Sequence, residues 1–416
     1  MTENTMDFPT LSTATRDFRW GRIRAMAKEM SLDCVLVFGL KGRERFEGYV
    51  ANEYVEGMAI LPVESDPVLL TWNQKMVIHR MGSKTDQDQF WIKDARIGAY
   101  GPGIVEVIHE RGLEKGRIGA VGVHVREAGN PEGIVPYPMW KAVLDGLPDA
   151  DLVDTTWEFR RVMLGKNDEE LAMLRHSAAV GEKACQAMLD TVRVGASEYD
   201  IYAAIQDEIH KGGAIPHDPF LIMTWGADDL GWSEPTWTQS GGLPRLMEPG
   251  DLFMVEMFPT YGGLETQQQL SVAVAPVEPI TQELGKVAND CYLAGTRAMR
   301  PGKTFNQLVE AMLAPLDEYG GWTLTPMIHS VSPLGWTGGM GFNREKMPNH
   351  LTVPSTKQEV QYQNFELVLE EGMSFAFEPN ACFGQNRVNV GGSLVVTADE
   401  PEELNSLANR LHIVEN

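Results

Sequence analysis

The chain has 416 residues, of which 43% are hydrophobic and 22% are charged, and its formal net charge is −23. That length favours two domains, and the composition is typical of a globular protein. The negative charge excludes a nucleic-acid partner, because binding to a phosphate backbone depends on clustered lysine and arginine.

The cysteines and the N-terminal segment indicate a cellular compartment. The spacing of the cysteines suits neither a short zinc motif nor a disulfide framework, so we expect them to be buried thiols in a reducing cytoplasm. They are Cys34, Cys185, Cys291 and Cys382. Residues 1–17 lack the basic and then apolar pattern of a signal peptide, and no apolar run of about 18 residues could cross a bilayer. We therefore expect a cytoplasmic protein with no membrane partner.

Residues 1–160 are predicted to form a first domain of α/β type. Short apolar runs, which predict strands, alternate here with helical stretches. The runs cover residues 34–38, 58–63, 67–72 and 117–123.

Residues 161–416 are predicted to form a second domain, in which helices and strands are segregated in an α+β manner. Asn167 or Asp168 can cap a long helix, and Ser197 and Thr304 begin two segments with the pattern of a capping box. Strand-like runs follow at 251–257, 268–275, 374–378 and 393–397.

Three segments of the second domain carry a family resemblance. Residues 250–267, 371–378 and 387–397 resemble the "pita-bread" family of aminopeptidase P, prolidase, methionine aminopeptidase and creatinase. The resemblance implies an α+β fold class, with a pita-bread catalytic domain preceded by a creatinase-type α/β domain.

In the metallopeptidase members of this family, these segments and a histidine supply two Asp, one His and two Glu to a pair of metal ions. Here Glu256 stands at the first Asp position, Gln267 at the second and Gly391 at the last Glu position, while His329 and Glu378 match. We therefore expect a metal-free site without a cofactor, as in creatinase. The alternative is a single ion held by the remaining two carboxylates and one imidazole.

Other positions in the second domain match residues that line the cleft in relatives. The second family histidine is replaced by Trp336, and the general-base histidine of creatinase is replaced by Ser233, so hydrolysis of creatine itself is not expected. Arg344 resembles an arginine of creatinase that meets the substrate carboxylate. The substrate-binding residues predicted in this domain are Gln267, Gln269, Trp232, Ser233, Trp336 and Arg344.

The resemblance also implies a homodimer. In creatinase-type dimers the N-terminal domain of one chain closes over the active site of the other, and residues 51–57 occupy the capping position. Tyr54 and Glu56 stand there, so we expect a neutral or phenolic ligand, because Glu56 would repel a carboxylate.

These residues lead to a functional hypothesis. Glu256, Glu378 and His329 can exchange protons, with one carboxyl acting as acid and the other as base. The predicted function is a metal-independent lyase that cleaves a small aryl-bearing molecule, for example with retro-aldol release of formaldehyde; a peptidase is not expected. The alternatives are a creatinase-like metal-independent C–N hydrolase and a non-catalytic binding module.

Overall fold

The computed structural model of the chain describes residues 8–39, 45–53, 55–83, 90–98, 101–124, 133–225, 230, 237–351 and 366–415. They divide into two compact units, one from Pro9 to Glu170 and the other comprising Phe8 and the residues from Leu171 onward. The division thus falls after residue 170, whereas the sequence predicted 160. The added residues belong to the first unit because Glu169 accepts hydrogen bonds from Ser12 and Thr15.

The first unit is an α/β layer structure around one mixed sheet, whose strand order is β4-β3-β2-β1-β5-β6. Strand β1 runs parallel to β5 and antiparallel to β2. The elements are α1 (Thr13–Glu29), β1 (Cys34–Phe38), α2 (Phe46–Ala51), β2 (Gly57–Pro62), β3 (Val68–Thr71), α3 (Gln74–Gly82), β4 (Asp94–Ile97), α4 (Gly101–Glu110), β5 (Arg117–Val121), α5 (Tyr137–Gly146), β6 (Asp151–Asp154) and α6 (Thr156–Leu164).

Both faces of this sheet are buried, as alternation along β1 illustrates. Val35 and Val37 pack into the core on one face, while Leu36 and Phe38 pack into the core on the other. Successive strand residues point to opposite faces, so an uninterrupted apolar run is what a doubly covered strand requires.

Helix α2 carries a buried carboxyl group in the first unit. Glu47 is fully buried, and neither carboxyl oxygen has a hydrogen-bond partner among the described residues. The carboxyl lies against Gly39, where an added Cβ would come within 1.3 Å of Glu47 Oε2. Burial raises the pKa of Glu47 to about 7, against smaller lowerings by the nearby backbone N–H groups of Glu47 and Gly48 and by the charge of Arg45.

The second unit contains long helices and several short strands. Ser197 and Thr304 each form the predicted capping box at a helix start. The elements are α7 (Asp168–Thr191, which begins in the first unit), α8 (Glu198–Lys211), β7 (Ile215–Trp225), α9 (Trp237–Ser240), β8 (Leu252–Tyr261), β9 (Leu264–Glu265), β10 (Gln268–Val274), α10 (Pro279–Ala298), α11 (Phe305–Tyr319), β11 (Ile328–Ser330), β12 (Thr337–Gly338), β13 (Ser374–Phe377), β14 (Asn380–Phe383), β15 (Asn386–Asn389), β16 (Ser393–Val395), β17 (Glu402–Glu403) and β18 (His412–Val414).

The strands of the second unit form two larger sheets and a hairpin. One sheet has the order β18-β10-β8-β7 with β9 beside β8, the other has the order β12-β11-β13-β16-β17, and β14 pairs with β15. Alternate residues of β8 and β10, including Val255 and Val272, pack against side chains of α7 and α8. The intervening residues, including Glu256 and Gln269, therefore project from the opposite face. Within the described part of the chain, no helix is long and apolar enough to cross a membrane.

Candidate active site

The sheet that contains β8 and β10 presents polar side chains on the face away from its helices. Glu256 on β8 lies directly opposite Gln269 on β10 in the antiparallel ladder. Gln267 precedes Gln269 by two residues, so it projects from the same face. All three side chains are buried, with at most 5% of any residue exposed.

The sheet that contains β11 and β13 supplies the other two members of the site. His329 on β11 pairs with Ala376 on β13, and Glu378 follows Ala376 by two residues on the same face. Donor atoms of Glu256, His329 and Glu378 all lie within 4.8 Å of one another, and the three residues are buried. The predicted acid–base residues are therefore brought together in one buried cluster.

Amide groups link the two carboxylates. Gln267 Nε2 donates to Glu256 Oε1 and, at 2.9 Å, to Glu378 Oε2. Gln269 Nε2 donates to the same Glu378 oxygen at 2.6 Å. Hydrogen bonds from N–H groups compensate the burial of carboxylates, because an unpaired buried charge is costly. Gln267 Oε1, by contrast, is buried with no hydrogen-bond partner among the described residues.

The hydrogen bonding of His329 fixes its tautomer. His329 Nδ1 lies 2.8 Å from the backbone oxygen of Ser330, and since a carbonyl oxygen only accepts, Nδ1 carries the proton of the neutral ring. Nε2 then carries the lone pair and faces Glu378 Oε1 at 3.8 Å. That separation is too long for a direct hydrogen bond. Nε2 is thus arranged as a general base or a metal ligand.

Gly391 shows why one carboxylate of the metal-binding relatives has no counterpart. Its backbone exchanges hydrogen bonds with Gln269 at 2.8 and 3.0 Å. A Cβ at this position would lie 1.9 Å from the Phe377 carbonyl oxygen, so no side chain fits without backbone movement. With an amide at Gln267 as well, the described donors fit one ion, held by the three-residue cluster, and do not fit a pair.

The remaining predicted site residues differ in where they lie relative to the buried cluster. Trp336 is fully buried beside the site, and its backbone N–H donates to Ser330 Oγ at 3.1 Å. Arg344 lies on an exposed 3₁₀ turn, and no contact described for it reaches the cluster. Glu56 belongs to the first unit, where its Oε2 accepts a hydrogen bond from Asn73. Tyr54, Trp232 and Ser233 lie outside the described residues.

Sequence reasoning missed Asn380 and Asn389, which are paired across the β14–β15 hairpin. Both are fully buried, and Asn389 Nδ2 donates to Gln269 Oε1 at 3.0 Å. One signal was available: Asn389 stands two residues before Gly391, a position that the family resemblance places at the site.

Comparisons with known sequences identify relatives for this arrangement. Residues 172–398 match the sequence model of metallopeptidase family M24. The chain is 21% identical over 309 residues to a creatinase from Bacillus sp. (strain B-0618), covering 71% of this chain and 69% of that protein. It is 23% identical over 256 residues to an Xaa-Pro dipeptidase from Lactobacillus helveticus, covering 61% of this chain and 63% of the relative.

Solved structures show the same fold. An Xaa-Pro dipeptidase from Bacillus anthracis aligns with a TM-score of 0.72 at 18% identity, covering 96% of this chain and 100% of that one. Dipeptidase PepE from Mycobacterium ulcerans aligns with a TM-score of 0.71 at 17% identity, covering 98% and 100%. The predicted α+β, pita-bread fold class and the predicted family resemblance are confirmed.

The comparisons also correct the predicted function. The hypothesis of a lyase acting on an aryl-bearing molecule is wrong, and so is the expectation that the protein is not a peptidase. These relatives are dipeptidases and a creatinase. The error arose because the loss of metal ligands was taken to favour a lyase over a hydrolase, although the buried imidazole found here can accept a proton from water.

Proposed function

Because the chain belongs to metallopeptidase family M24, we propose that it is a hydrolase that cleaves a C–N bond in a small substrate. The observation that carries the proposal is the buried cluster of Glu256, His329 and Glu378. The names of the relatives suggest two substrate classes, a dipeptide with C-terminal proline and a small amidino compound of the creatine type.

The three side chains divide the proton transfers of hydrolysis among them. His329 Nε2, which bears the lone pair, takes a proton from the attacking water. Glu378 Oε1 lies 3.8 Å from that nitrogen and stabilises the imidazolium that forms. Glu256 gives a proton to the nitrogen that leaves, so the C–N bond breaks as the C–O bond forms. Glu256 later regains its proton from His329 through solvent.

Gln267 suits recognition of a substrate that carries an N–H group. Its Oε1 is buried and lacks a partner among the described residues, while its Nε2 is committed to the two carboxylates. A buried acceptor without a donor costs about 1–3 kcal/mol, which a substrate N–H would recover. An amidine N–H group provides such a donor, and so does the N-terminal ammonium group of an Xaa-Pro dipeptide, whose peptide nitrogen itself carries no hydrogen.

We further propose that turnover needs no metal. Glu256 Oε1 and Glu378 Oε2 already accept N–H groups of Gln267, and Gly391 leaves no room for a further carboxylate. An ion held by Glu256, His329 and Glu378 would supply Lewis-acid polarisation and an acidic bound water. One test is activity after exhaustive chelation, with metal content measured on the same sample. If activity falls when one ion per chain is removed and returns when the ion is added back, the proposal that turnover needs no metal is overturned.

Three expectations from the sequence remain proposals. These are a creatinase-like N-terminal domain that precedes a pita-bread catalytic domain, a cytoplasmic location, and a homodimer in which Tyr54 and Glu56 of one chain cap the site of the other. Sedimentation of the purified chain over a range of concentrations tests the dimer, and a monomer at assay concentrations would exclude it.

The hydrolase proposal is tested with a panel of Xaa-Pro dipeptides and small amidines. Glu378→Gln, Glu256→Gln and His329→Gln should each lower kcat by about 10²–10⁴-fold while the fold stays intact. A matched control is Glu182→Gln on α7, a hydrogen-bonded carboxylate in the same unit whose partners are Asn405, Ser406 and Leu407. The proposal fails if no member of the panel is hydrolysed, or if the cluster variants turn over as fast as the control.

A further inference from the structure

Thr337 lies beside His329 on the same face of the sheet that contains β11 and β13. It stands on β12 directly opposite His329 in the antiparallel ladder, so the two side chains point to the same side. The Ser330 backbone N–H donates to the Trp336 carbonyl oxygen at 2.8 Å, a bond that flanks a pair without hydrogen bonds of its own. Side chains approach each other most closely in pairs of this type. Thr337 therefore borders the candidate active site on its β12 side.

The other residues in the same row of the sheet confirm that this face leads to the site. On the far side of His329 the row continues with Ala376 on β13 and Ser393 on β16. Ser393 Oγ lies 2.9 Å from the backbone nitrogen of Gln267 and 3.2 Å from its backbone oxygen. The row thus contacts the residue that links the two carboxylates, and it ends at Thr337 on the opposite side of His329.

The Thr337 hydroxyl is a donor that a ligand can use. The residue is 5% exposed, and its hydroxyl makes no hydrogen bond to any part of the chain that the structure describes. Neighbouring donors, by contrast, already have acceptors. Gln267 Nε2 donates to both carboxylates, and His329 Nδ1 donates to the Ser330 carbonyl oxygen.

Hydrolysis of an amide needs a donor at one particular atom. When water adds to the amide carbon, the electron pair of the C=O bond moves onto the oxygen, where negative charge develops and must be stabilised. His329 takes the proton of the water, and the electron pair returns to the C=O bond as the C–N bond breaks and Glu256 protonates the nitrogen. Neither ionised Glu378 nor the lone pair of His329 Nε2 can stabilise the oxygen, because both only accept hydrogen bonds.

We propose that the Thr337 hydroxyl donates a hydrogen bond to the carbonyl oxygen of the substrate, and that this bond strengthens as negative charge develops there. Thr337 is then a catalytic residue, and the substrate is an amide such as an Xaa-Pro dipeptide. An amidine does not meet the requirement, because it has no oxygen to accept the bond. The inference rests on the proposed function for the reaction, but the contact with a carbonyl also forms in a ligand that is not cleaved.

Two variants separate the hydroxyl from the volume of the side chain. Thr337→Val replaces the hydroxyl by a methyl group of similar size, whereas Thr337→Ser keeps the hydroxyl. On an Xaa-Pro dipeptide, valine should lower kcat by about 10²–10³-fold with a smaller change in KM, and serine should stay within about tenfold of native protein. The matched control is Thr296→Val on α10, whose hydroxyl bonds to the Tyr292 carbonyl oxygen at 3.1 Å, and it should leave kcat unchanged.

A change in the substrate tests the same bond from the other side. Replacing the carbonyl oxygen of the dipeptide by sulfur removes a strong hydrogen-bond acceptor. Native protein and Thr337→Ser should then lose more of their rate than Thr337→Val, since the valine variant has already lost the bond. Equal fractional losses in native protein and Thr337→Val would overturn the inference, because the two changes would then act independently.

A ketone that cannot be cleaved separates this inference from the proposed function. In the ketomethylene analogue of the dipeptide, a CH group replaces the proline nitrogen and the carbonyl oxygen is kept. Calorimetry should give a Kd about 3–10-fold higher for Thr337→Val than for native protein, and a native Kd for Thr337→Ser. That pattern without hydrolysis of any substrate in the panel would overturn the proposed function and leave the Thr337 contact established.

The remaining outcomes are also distinct. Hydrolysis of dipeptides by Thr337→Val at the native rate would overturn the inference and leave the hydrolase proposal standing. Hydrolysis of amidines without hydrolysis of dipeptides would have the same meaning. If native protein neither binds the ketone nor hydrolyses any member of the panel, both proposals are overturned.

Discussion

Glu47 allows the clearest quantitative test of the first unit. Its carboxyl is buried with no hydrogen-bond partner in the described part of the chain, and its pKa is raised from 4.5 to about 7. Between those two values the native state binds more protons than the unfolded state, so the free energy of unfolding falls as pH rises through this window. Each unit of pKa difference corresponds to about 1.4 kcal/mol, so this carboxyl costs the native state about 3 kcal/mol above pH 7.

The variant Glu47→Gln removes this dependence, because an amide of the same size does not ionise. We expect native protein to lose about 2–3 kcal/mol more than the variant between pH 5 and pH 8.5. Denaturant unfolding can be followed by fluorescence, since Trp20 and Trp91 lie in the same core as Phe46. The exposed Glu64→Gln, which disrupts only a surface pair with Lys28, should change stability by less than about 0.5 kcal/mol at either pH. Parallel pH curves for native and Glu47→Gln protein would refute the argument.

Three further predictions follow from close contacts and buried groups. Gly391→Ala should lower the free energy of unfolding by about 1–3 kcal/mol, because the added Cβ meets the Phe377 carbonyl oxygen. Alanine at Gly21, where no described atom lies within 4 Å, should be neutral or stabilising. An unchanged Tm for Gly391→Ala would contradict the contact. Gln267→Asp replaces two N–H groups by a carboxylate, which would be a fourth metal ligand. The variant should therefore have a lower Tm than native protein in chelator, and zinc or manganese should raise its Tm more than that of native protein. Equal shifts in Tm on adding the metal would refute this count of metal ligands. Thiol titration at pH 8 should find no fast-reacting cysteine in native protein, since Cys34, Cys185, Cys291 and Cys382 are buried with raised pKa values; rapid labelling of any one would show that its site opens.

The sequence predicted the elements of the site better than the contacts between them. Glu256 and Gln269 could be assigned to adjacent strands from alternation and from the family resemblance, and His329 and Glu378 from the resemblance alone. Their function could not be obtained in the same way, because a count of metal ligands does not reveal an imidazole whose Nδ1 is fixed by a backbone carbonyl.

The hairpin partners of the site were beyond sequence reasoning for a different reason. Asn380 and Asn389 meet only because β14 and β15 pair in one particular register, and a shift of one residue would send both side chains to the other face. The burial of Glu47 could not be predicted from the sequence either, since a glutamate in a short helix such as α2 is ordinarily solvated. Its burial depends on the approach of Gly39.

The substitutions at the family's metal positions make physical sense when they are considered together. Two divalent ions bring four positive charges, which four carboxylates balance. A chain that lost the ions and kept all four carboxylates would bury four negative charges within a few ångströms, at a cost that no fold could sustain. This chain retains two, Glu256 and Glu378, and places the N–H groups of Gln267 between them. Gly391 removes another carboxylate and lets its own backbone lie directly against the Phe377 backbone. Restoring a carboxylate at either position, Gln267 or Gly391, is therefore expected to destabilise the protein in the absence of a metal ion.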